Sequence, residues 1–171
     1  MNTRPQDLVL TPRGIRFLGR TFPCAIGRGG VSTSKREGDG ATPAGVHRIM
    51  GLMARPDRVR VAGEAFPIGP RDLWSDASGE PDYNQHVRAP YGHSHERLRR
   101  ADPLYDLVLV TDWNWPLAEA GMGSAIFLHI WRKPRHPTEG CIAFRRDHFR
   151  WIIDRLEPEN RLIVPEALAG R

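Results

Sequence analysis

Residues 125–131 read AIFLHIW, an apolar run interrupted by a single histidine. The length of this run and its β-branched and aromatic residues predict a buried strand. Because side chains alternate along a strand, the run divides into two opposite faces. Ile126, Leu128 and Ile130 would occupy one face, and Phe127, His129 and Trp131 the other. Residues 105–111 (YDLVLVT) predict a second buried strand.

Shorter strands are expected throughout the rest of the chain. They fall at residues 7–10, 15–18, 21–26, 46–50 and 161–164, mostly bounded by turns rich in glycine and proline. Many short strands with few helices are typical of a mostly β protein. The pattern therefore predicts a β-rich sandwich or partly closed barrel.

One clear α-helix is expected near the C-terminus, over residues 147–157. Its apolar residues recur at the i, i+3, i+4 and i+7 spacing of an amphipathic helix, namely at Phe149, Ile152, Ile153 and Leu156. Asp147 is expected to be the N-cap of this helix, since a short acidic side chain can accept the first free amide protons.

Length and composition limit the protein classes that the chain can belong to. A chain of 171 residues is typical of one domain, so residues 1–171 are expected to form a single unit. Hydrophobic residues make up 40% and charged residues 26%, an ordinary globular mixture. No apolar run approaches the roughly 20 residues of a membrane-spanning helix. These features argue against membrane, fibrous, coiled-coil and disulfide-scaffold classes.

Residues 70–103 differ from the rest of the chain, being mostly polar and containing four prolines. They predict a long irregular insertion with a short helix over residues 94–101. Structureless segments of this length are uncommon in compact domains and often serve a function. The insertion would be either a cover over a cleft, with Tyr91 among its substrate contacts, or a surface segment anchored by aromatic side chains.

The net charge of +5 comes from 25 Lys and Arg against 20 Asp and Glu. Such a surface attracts polyanions, among which are nucleic acids and anionic cell-wall polymers. No nucleic-acid-binding motif accompanies the arginines, so nucleic acid is not an expected partner. A bound metal is not expected either, because His93 and His95 lack a third ligand at a suitable spacing.

The two cysteines stand in different contexts, and a disulfide between them is left open. Cys24 lies in the apolar run of residues 21–26, where a small core residue is expected. Cys141 ends the turn formed by residues 138–141 (TEGC), just before an apolar stretch. This difference favours Cys141 as the reactive thiol.

Cys141 follows His129 by twelve residues, with a polar, hairpin-like loop between them. That length allows the chain to reverse and to place the thiol beside the strand that carries His129. A free thiol has a pKa of about 8.5, so it is mostly protonated at neutral pH. An adjacent imidazole can take its proton and leave a nucleophile for a carbonyl carbon. Gly140 would let a substrate approach the backbone, whose amides would donate to an oxyanion.

A strand histidine followed by residues 138–141 (TEGC) resembles the catalytic signature of the L,D-transpeptidase (YkuD-like) family. That signature is a histidine, a spacer and then Ser/Thr-His-Gly-Cys. Upstream, residues 42–45 (TPAG) look like the family's Thr-Pro-x-Gly segment. The resemblance covers residues 20–165, and it is specific because two separate motifs fall in the expected order.

The resemblance implies that Cys141 is the nucleophile, that His129 is the general base and that Gly140 helps to shape the oxyanion site. Thr138 matches the Ser/Thr position, where its hydroxyl would stabilise the turn. The family fold is β-rich and sandwich-like, and the reaction uses no metal or organic cofactor. Enzymes of the family attack a peptidoglycan peptide stem before its terminal D-Ala, form a thioester and pass the acyl group to an amine.

Three features depart from the family pattern. Glu139 stands where a second histidine is usual, Ala143 stands where Asn or Arg often follows, and the spacer of eight residues before Thr138 is short. The Glu139 carboxylate would either disfavour a nearby thiolate or orient the imidazole. Arg132 and Arg145 lie near the motif and would either meet a substrate carboxylate or remain surface charges.

The resemblance leaves two other functions open. Water in place of an amine would make the protein an L,D-carboxypeptidase or endopeptidase, and loss of activity would leave a module that only binds the cell wall. The substrate predicts a periplasmic or cell-envelope location. No secretory signal is visible in residues 1–10, so a cytoplasmic location stays open as well.

Overall fold

The computed structural model describes residues 3–170 of the chain. The strands are β1 (Leu8–Thr11), β2 (Gly14–Phe17), β3 (Arg20–Phe22), β4 (Cys24–Ala25), β5 (Val31–Ser32), β6 (Thr42–Pro43), β7 (Gly45–Ala54), β8 (Phe66–Pro67), β9 (Asp72–Ser75), β10 (His86–Arg88), β11 (His95–Arg97), β12 (Leu107–Thr111), β13 (Phe127–Ile130), β14 (Ile142–Phe144) and β15 (Arg161–Val164). The helices in this range are α1 (Arg146–Ile153) and a 3-10 turn, Glu166–Leu168. Neither helix has the length and apolar character needed to cross a membrane.

Ten strands form one large sheet in the order β3-β2-β1-β15-β7-β12-β13-β14-β4, with β8 paired to β7. The two end strands, β3 and β4, are consecutive in the chain, and only Pro23 separates them. The two ends of the sheet are therefore brought together, and the sheet forms a nearly closed barrel. This architecture confirms the mostly β, partly closed barrel that the sequence predicted.

Pro23 divides the strand that was expected over residues 21–26, so the prediction of one continuous strand is wrong. Proline has no N–H to contribute to a ladder, and the pairing stops there. Before it, Arg20–Phe22 pairs with β2 at one end of the sheet. After it, Cys24–Ala25 pairs with β14 at the other end.

The predicted alternation of residues 125–131 is confirmed where β13 runs between two cores. Leu128 and Ile130 belong to one core, which α1 covers. Phe127 belongs to the other core, on the opposite face of the strand. The ring of His129 lies on that second face, with its centroid 5.2 Å from that of the Tyr105 ring. The histidine therefore does not face the helix-covered core.

Helix α1 confirms the predicted helix but ends four residues earlier than expected, at Ile153. Beyond it, the N–H of Arg155 donates to the carbonyl oxygen of Ile152 (3.0 Å) and that of Leu156 to Ile153 (3.2 Å). These bonds span three residues instead of four, so the α-helical geometry is lost. The apolar periodicity continues through this turn, which explains the overestimate.

The expected N-cap of α1 is also wrong. The cap residue is Arg145, which makes no side-chain capping bond, and Asp147 lies inside the first turn. Its carboxylate accepts hydrogen bonds from the Arg145 guanidinium instead. Phe144, at the end of β14, stacks on Phe149 of the helix with ring centroids 5.4 Å apart. This stacking packs the first half of the helix against the end of β14.

Residues 70–103 are more regular than the sequence predicted. They contain a three-stranded sheet in the order β10-β9-β11, and β11 replaces the helix expected over residues 94–101. Strands this short carry almost no periodic signal, and here pairing with β9 stabilises them. Trp74 and Leu98 pack this small sheet onto the core that contains Phe127. The aromatic side chain of Trp74 is thus an anchor of the insertion.

Leucine-to-alanine substitutions should distinguish buried from exposed positions by the unfolding free energy that is lost. Leu109 on β12 is 1% exposed, and Leu109→Ala should lower the free energy of unfolding by about 2–5 kcal/mol. Leu117 is 92% exposed, and Leu117→Ala should change it by no more than about 0.5 kcal/mol. Urea unfolding followed by tryptophan fluorescence measures both. Similar losses in the two variants would contradict this description of the core.

Candidate active site

The parallel pairing of β13 with β14 places Cys141. Leu128 lies opposite Ile142, and His129 lies opposite Ala143. Residues 131–141 therefore carry the chain back to the beginning of β13. The hairpin-like connection inferred from the sequence is wrong in this respect, because a hairpin would leave the two strands antiparallel.

The returning segment is held by the strand-like stretch around residue 27. The N–H of Thr138 donates to the carbonyl oxygen of Ile26 (3.0 Å), and the N–H of Arg28 donates to that of Thr138 (2.8 Å). The Thr138 hydroxyl donates to the carbonyl oxygen of Cys141 (2.6 Å) and accepts the N–H of Gly140 (3.2 Å). Thr138 thus closes the turn that presents the cysteine.

The two sequence motifs meet at Gly140. The hydroxyl of Thr42, in the Thr-Pro-x-Gly segment, donates to the carbonyl oxygen of Gly140 (2.8 Å). The oxygen atom of the same hydroxyl accepts the N–H of Gly27 (2.9 Å). Thr42 is buried, so water does not reach its hydroxyl. These two bonds satisfy the hydroxyl instead. One hydroxyl thereby ties three distant segments together beside the cysteine.

Gly140 is required by the packing of the protein itself. Its φ is +137°, a conformation that other residues rarely adopt. A Cβ at this position would lie 2.8 Å from the carbonyl oxygen of Ala41 and 3.0 Å from the Cδ1 of Ile126. The side of Gly140 on which a Cβ would stand is therefore filled by other residues of the chain.

The Cys141 side chain is 8% exposed, and its sulfur has two hydrogen-bond partners. The thiol donates to the carbonyl oxygen of Ala125 (3.1 Å), and the N–H of Phe127 donates to the sulfur (3.4 Å). Burial raises the pKa of Cys141 to about 12, and the negative charge of Glu96 acts in the same direction. The resting group is therefore a neutral thiol that needs a base to become a nucleophile.

His129 has the protonation state that a base needs. Its Nδ1 atom lies 2.8 Å from the carbonyl oxygen of Ile130. Because a carbonyl oxygen can only accept, Nδ1 carries the proton in the neutral ring and Nε2 carries the lone pair. Burial lowers the pKa of His129 to about 4, so the imidazole is neutral at pH 7. A neutral thiol and a neutral imidazole thus share the site.

Cys141 and His129 line the same cleft, which has a volume of about 240 Å³. Tyr105, Thr138 and Glu139 are among the other residues that line it. Both side chains project from the same sheet face, since Cys141 immediately precedes β14 and His129 lies on the paired strand. The two side chains therefore border one cleft, and the thiol in this state donates to the Ala125 carbonyl and not to the imidazole.

Comparison with known families gives one decisive match. The family model of the L,D-transpeptidase catalytic domain (YkuD) matches residues 3–164. The chain belongs to this family. Comparison with curated proteins and with solved structures gives no match. Proteins of the YkuD family act on peptidoglycan stem peptides, which indicates a substrate in the cell envelope.

The other residues expected to bind substrate fall into two groups in this YkuD domain. Thr138, Glu139 and Arg132 border the cleft. The Glu139 carboxylate is mostly exposed and forms a salt bridge with Arg28 (2.8 Å), so it does not orient the imidazole here. Arg145, in contrast, binds Asp147 at the start of α1 and does not border the cleft.

Tyr91 also lies outside the cleft of this YkuD domain. Its hydroxyl hydrogen-bonds to the hydroxyl of Ser75 (2.8 Å) and donates to the carboxylate of Asp82 (2.7 Å), both within the insertion. These contacts give Tyr91 a structural role in the insertion. The insertion reaches the cleft through other residues, Glu96 and Arg100.

Glu96, Arg100 and Tyr105 also border the cleft, and the sequence did not predict a role for them there. The sequence predicts a strand from Tyr105 onward, but β12 begins two residues later. It also predicts a helix around Glu96, which hides the orientation of that side chain. The signal that would have found it is alternation, because a strand over residues 95–97 points Glu96 to the opposite side from its neighbours.

Cys24 has no comparable site. Both cysteines are free thiols, and Cys24 packs against the helix-covered core. Burial raises its pKa to about 12 as well. Acidity therefore does not distinguish the two thiols. What distinguishes them is that Cys141 shares a cleft with a histidine.

The packing at Gly140 leads to a test by substitution. Gly140→Ala introduces a Cβ against the Ala41 carbonyl at a strained φ and should lower the free energy of unfolding by about 1–3 kcal/mol. Gly92→Ala is the matched control, because nothing lies within 4 Å of the position that its Cβ would occupy and its φ is unstrained. Urea unfolding compares the two. Equal stabilities would show that the turn tolerates a side chain.

Proposed function

We propose that this protein is a cysteine acyltransferase that acts on peptidoglycan stem peptides through a Cys141 thioester. The observation that carries the proposal is the shared cleft of Cys141 and His129, in a chain of the YkuD family. The location proposed for this activity is the cell envelope, where the substrate is. No metal or organic cofactor takes part in the steps proposed here.

In the first step, the Nε2 atom of His129 takes the proton of the Cys141 thiol. The sulfur attacks the carbonyl carbon that precedes the terminal D-amino acid of the stem. The C–N bond then breaks, and the leaving amine takes the proton from His129. Since thiol and imidazole are both neutral at rest, charge develops only as the reaction proceeds, and stabilisation of that charge accelerates the step.

The negative oxygen that forms on the substrate carbonyl would lie against the turn at Gly140 and Cys141. The N–H of Gly140 now donates to the neutral hydroxyl of Thr138 over 3.2 Å, a long bond. A charged oxygen is a stronger acceptor, so the amide would turn toward it during the reaction. Thr138 and Thr42 hold the turn through its other atoms, the carbonyl oxygens of Cys141 and Gly140.

Arg132 is proposed to bind the terminal carboxylate of the stem. It borders the cleft, and a guanidinium can hold a carboxylate with two hydrogen bonds. The thioester is then resolved by an amine, which gives a transpeptidase, or by water, which gives a carboxypeptidase or endopeptidase. The products distinguish these reactions, because only the first yields crosslinked peptides.

Substitution of each cysteine tests the assignment of the nucleophile. Cys141→Ala should abolish thioester formation with a tetrapeptide stem or with a carbapenem, because no other side chain in the proposal can attack the carbonyl. Cys24→Ala should retain the activity, since that thiol lies in another part of the structure. Mass spectrometry of the intact protein detects the acyl adduct. An unchanged adduct in Cys141→Ala, or equal loss in both variants, would refute the proposal.

The pH dependence of acylation tests the state of the base. Because burial lowers the pKa of His129 to about 4, the base form persists well below the usual pKa of about 6.5. As the pH falls, the acylation rate should therefore decline with a midpoint near 4. Stopped reactions analysed by mass spectrometry give the rate, and circular dichroism confirms that the protein stays folded. A midpoint near the usual value would rule out a buried neutral base.

A further inference from the structure

Glu96 reaches the cleft from the insertion. On the small sheet it lies directly opposite Trp74, and residues opposite each other in a sheet share a face. Trp74 packs on Phe127 of the large sheet, with ring centroids 5.0 Å apart. Glu96 therefore faces the large sheet as well. There its carboxylate accepts the hydroxyl of Tyr105 (2.6 Å), whose ring lies against His129.

The Glu96 carboxylate is only partly compensated by the surrounding side chains. No salt bridge within residues 3–170 includes it. The Arg100 guanidinium lines the same cleft but binds both oxygens of Asp102, at 2.9 and 2.7 Å. Burial raises the pKa of Glu96, and the charges of Asp76 and Glu37 raise it further. The hydrogen bond that it accepts and the positive charge of Arg100 act in the opposite direction.

A partly buried carboxylate with one neutral donor is poorly compensated, and a bound cation would relieve it. Such a cation must enter through the cleft, because the carboxylate lines it beside Cys141 and His129. When an amine resolves the thioester, the reaction proposed above needs a primary amine at that place, and at neutral pH primary amines arrive mainly as ammonium ions. The unpaired charge and the required nucleophile therefore match.

We propose that Glu96 binds the ammonium group of the acyl acceptor and directs the thioester toward an amine rather than toward water. This inference rests on the proposed function, since it requires a thioester on Cys141. It makes the insertion part of the acceptor site. The acceptor class that it selects is a primary amine carrying a positive charge.

Aminolysis of the thioester moves two protons from the acceptor nitrogen. The ammonium group transfers one proton to the Glu96 carboxylate and becomes a neutral amine. The nitrogen lone pair forms a bond to the thioester carbon, and the nitrogen passes a second proton to Nε2 of His129. The C–S bond then breaks, and the Cys141 sulfur receives that proton from His129. Glu96 releases its proton to solvent, so amide, thiol and one proton are the products.

The experiment measures how the thioester divides between amine and water. Wild-type protein and Glu96→Gln are given a tetrapeptide stem together with glycinamide, a primary amine without a carboxylate. Mass spectrometry quantifies the amide product, the hydrolysed product and the thioester. Glu96→Gln should lower the ratio of amide to hydrolysed product by about tenfold or more, because a charge-assisted hydrogen bond is lost. Thioester should still form, because Glu96 transfers no proton in the acylation step.

A control variant separates this role from a general loss of negative charge. Glu64→Gln removes a carboxylate from an exposed position that does not border this cleft, and the ratio should be retained. Thermal unfolding midpoints of both variants establish that each one is folded.

The outcomes are distinguishable. A lower ratio in Glu96→Gln alone supports the inference. If thioester forms but the ratio is equal in wild type and Glu96→Gln, the inference is overturned while the proposed function stands. A ratio that falls equally in Glu64→Gln and Glu96→Gln overturns it too, since loss of any carboxylate would then have the same effect. Absence of any wild-type thioester would overturn the proposed function together with the inference.

Discussion

The parallel ladder between β13 and β14 is the constraint on which the site depends. Its register sets His129 opposite Ala143, so Cys141, the residue just before β14, lies two positions earlier and on the same face. A slip by one residue would turn the thiol to the opposite face, because side chains alternate along strands. Thr42 and Thr138 hold the turn before β14 by hydrogen bonds to the carbonyl oxygens of Gly140 and Cys141.

Burial gives this pair a character that isolated side chains would not have. Removal of water disfavours both charged forms, the thiolate and the imidazolium, so the resting state is neutral. A pre-formed ion pair is thereby disfavoured, and the proposed reaction would begin with proton transfer from sulfur to nitrogen. The contact of Nδ1 with the Ile130 carbonyl selects the tautomer in which Nε2 can receive that proton.

The parts of the fold that the sequence predicted best are the buried strands. Residues 105–111, 125–131 and 161–164 are dense in apolar residues, and strands occur within all three. Prediction was poorest where pairing at a distance supplies the stability. The strands of residues 70–103 are three or four residues long, and only their partners and the packing of Trp74 keep them extended. For the same reason, the sequence did not predict that the Glu96 side chain borders the cleft.

The amino-acid sequence alone established the chemistry available to this protein: a thiol after a glycine turn, a strand histidine upstream and the motif order of the YkuD family. It did so because residue type fixes which bonds a side chain can form or break. The tertiary structure determined where those groups lie and which groups surround them. The direction of the returning strand, the occupant of the space beside Gly140 and the pairing of Glu139 with Arg28 all depend on segments far apart in the chain. Proximity and desolvation, which set the protonation of Cys141 and His129, exist only once those segments have packed together.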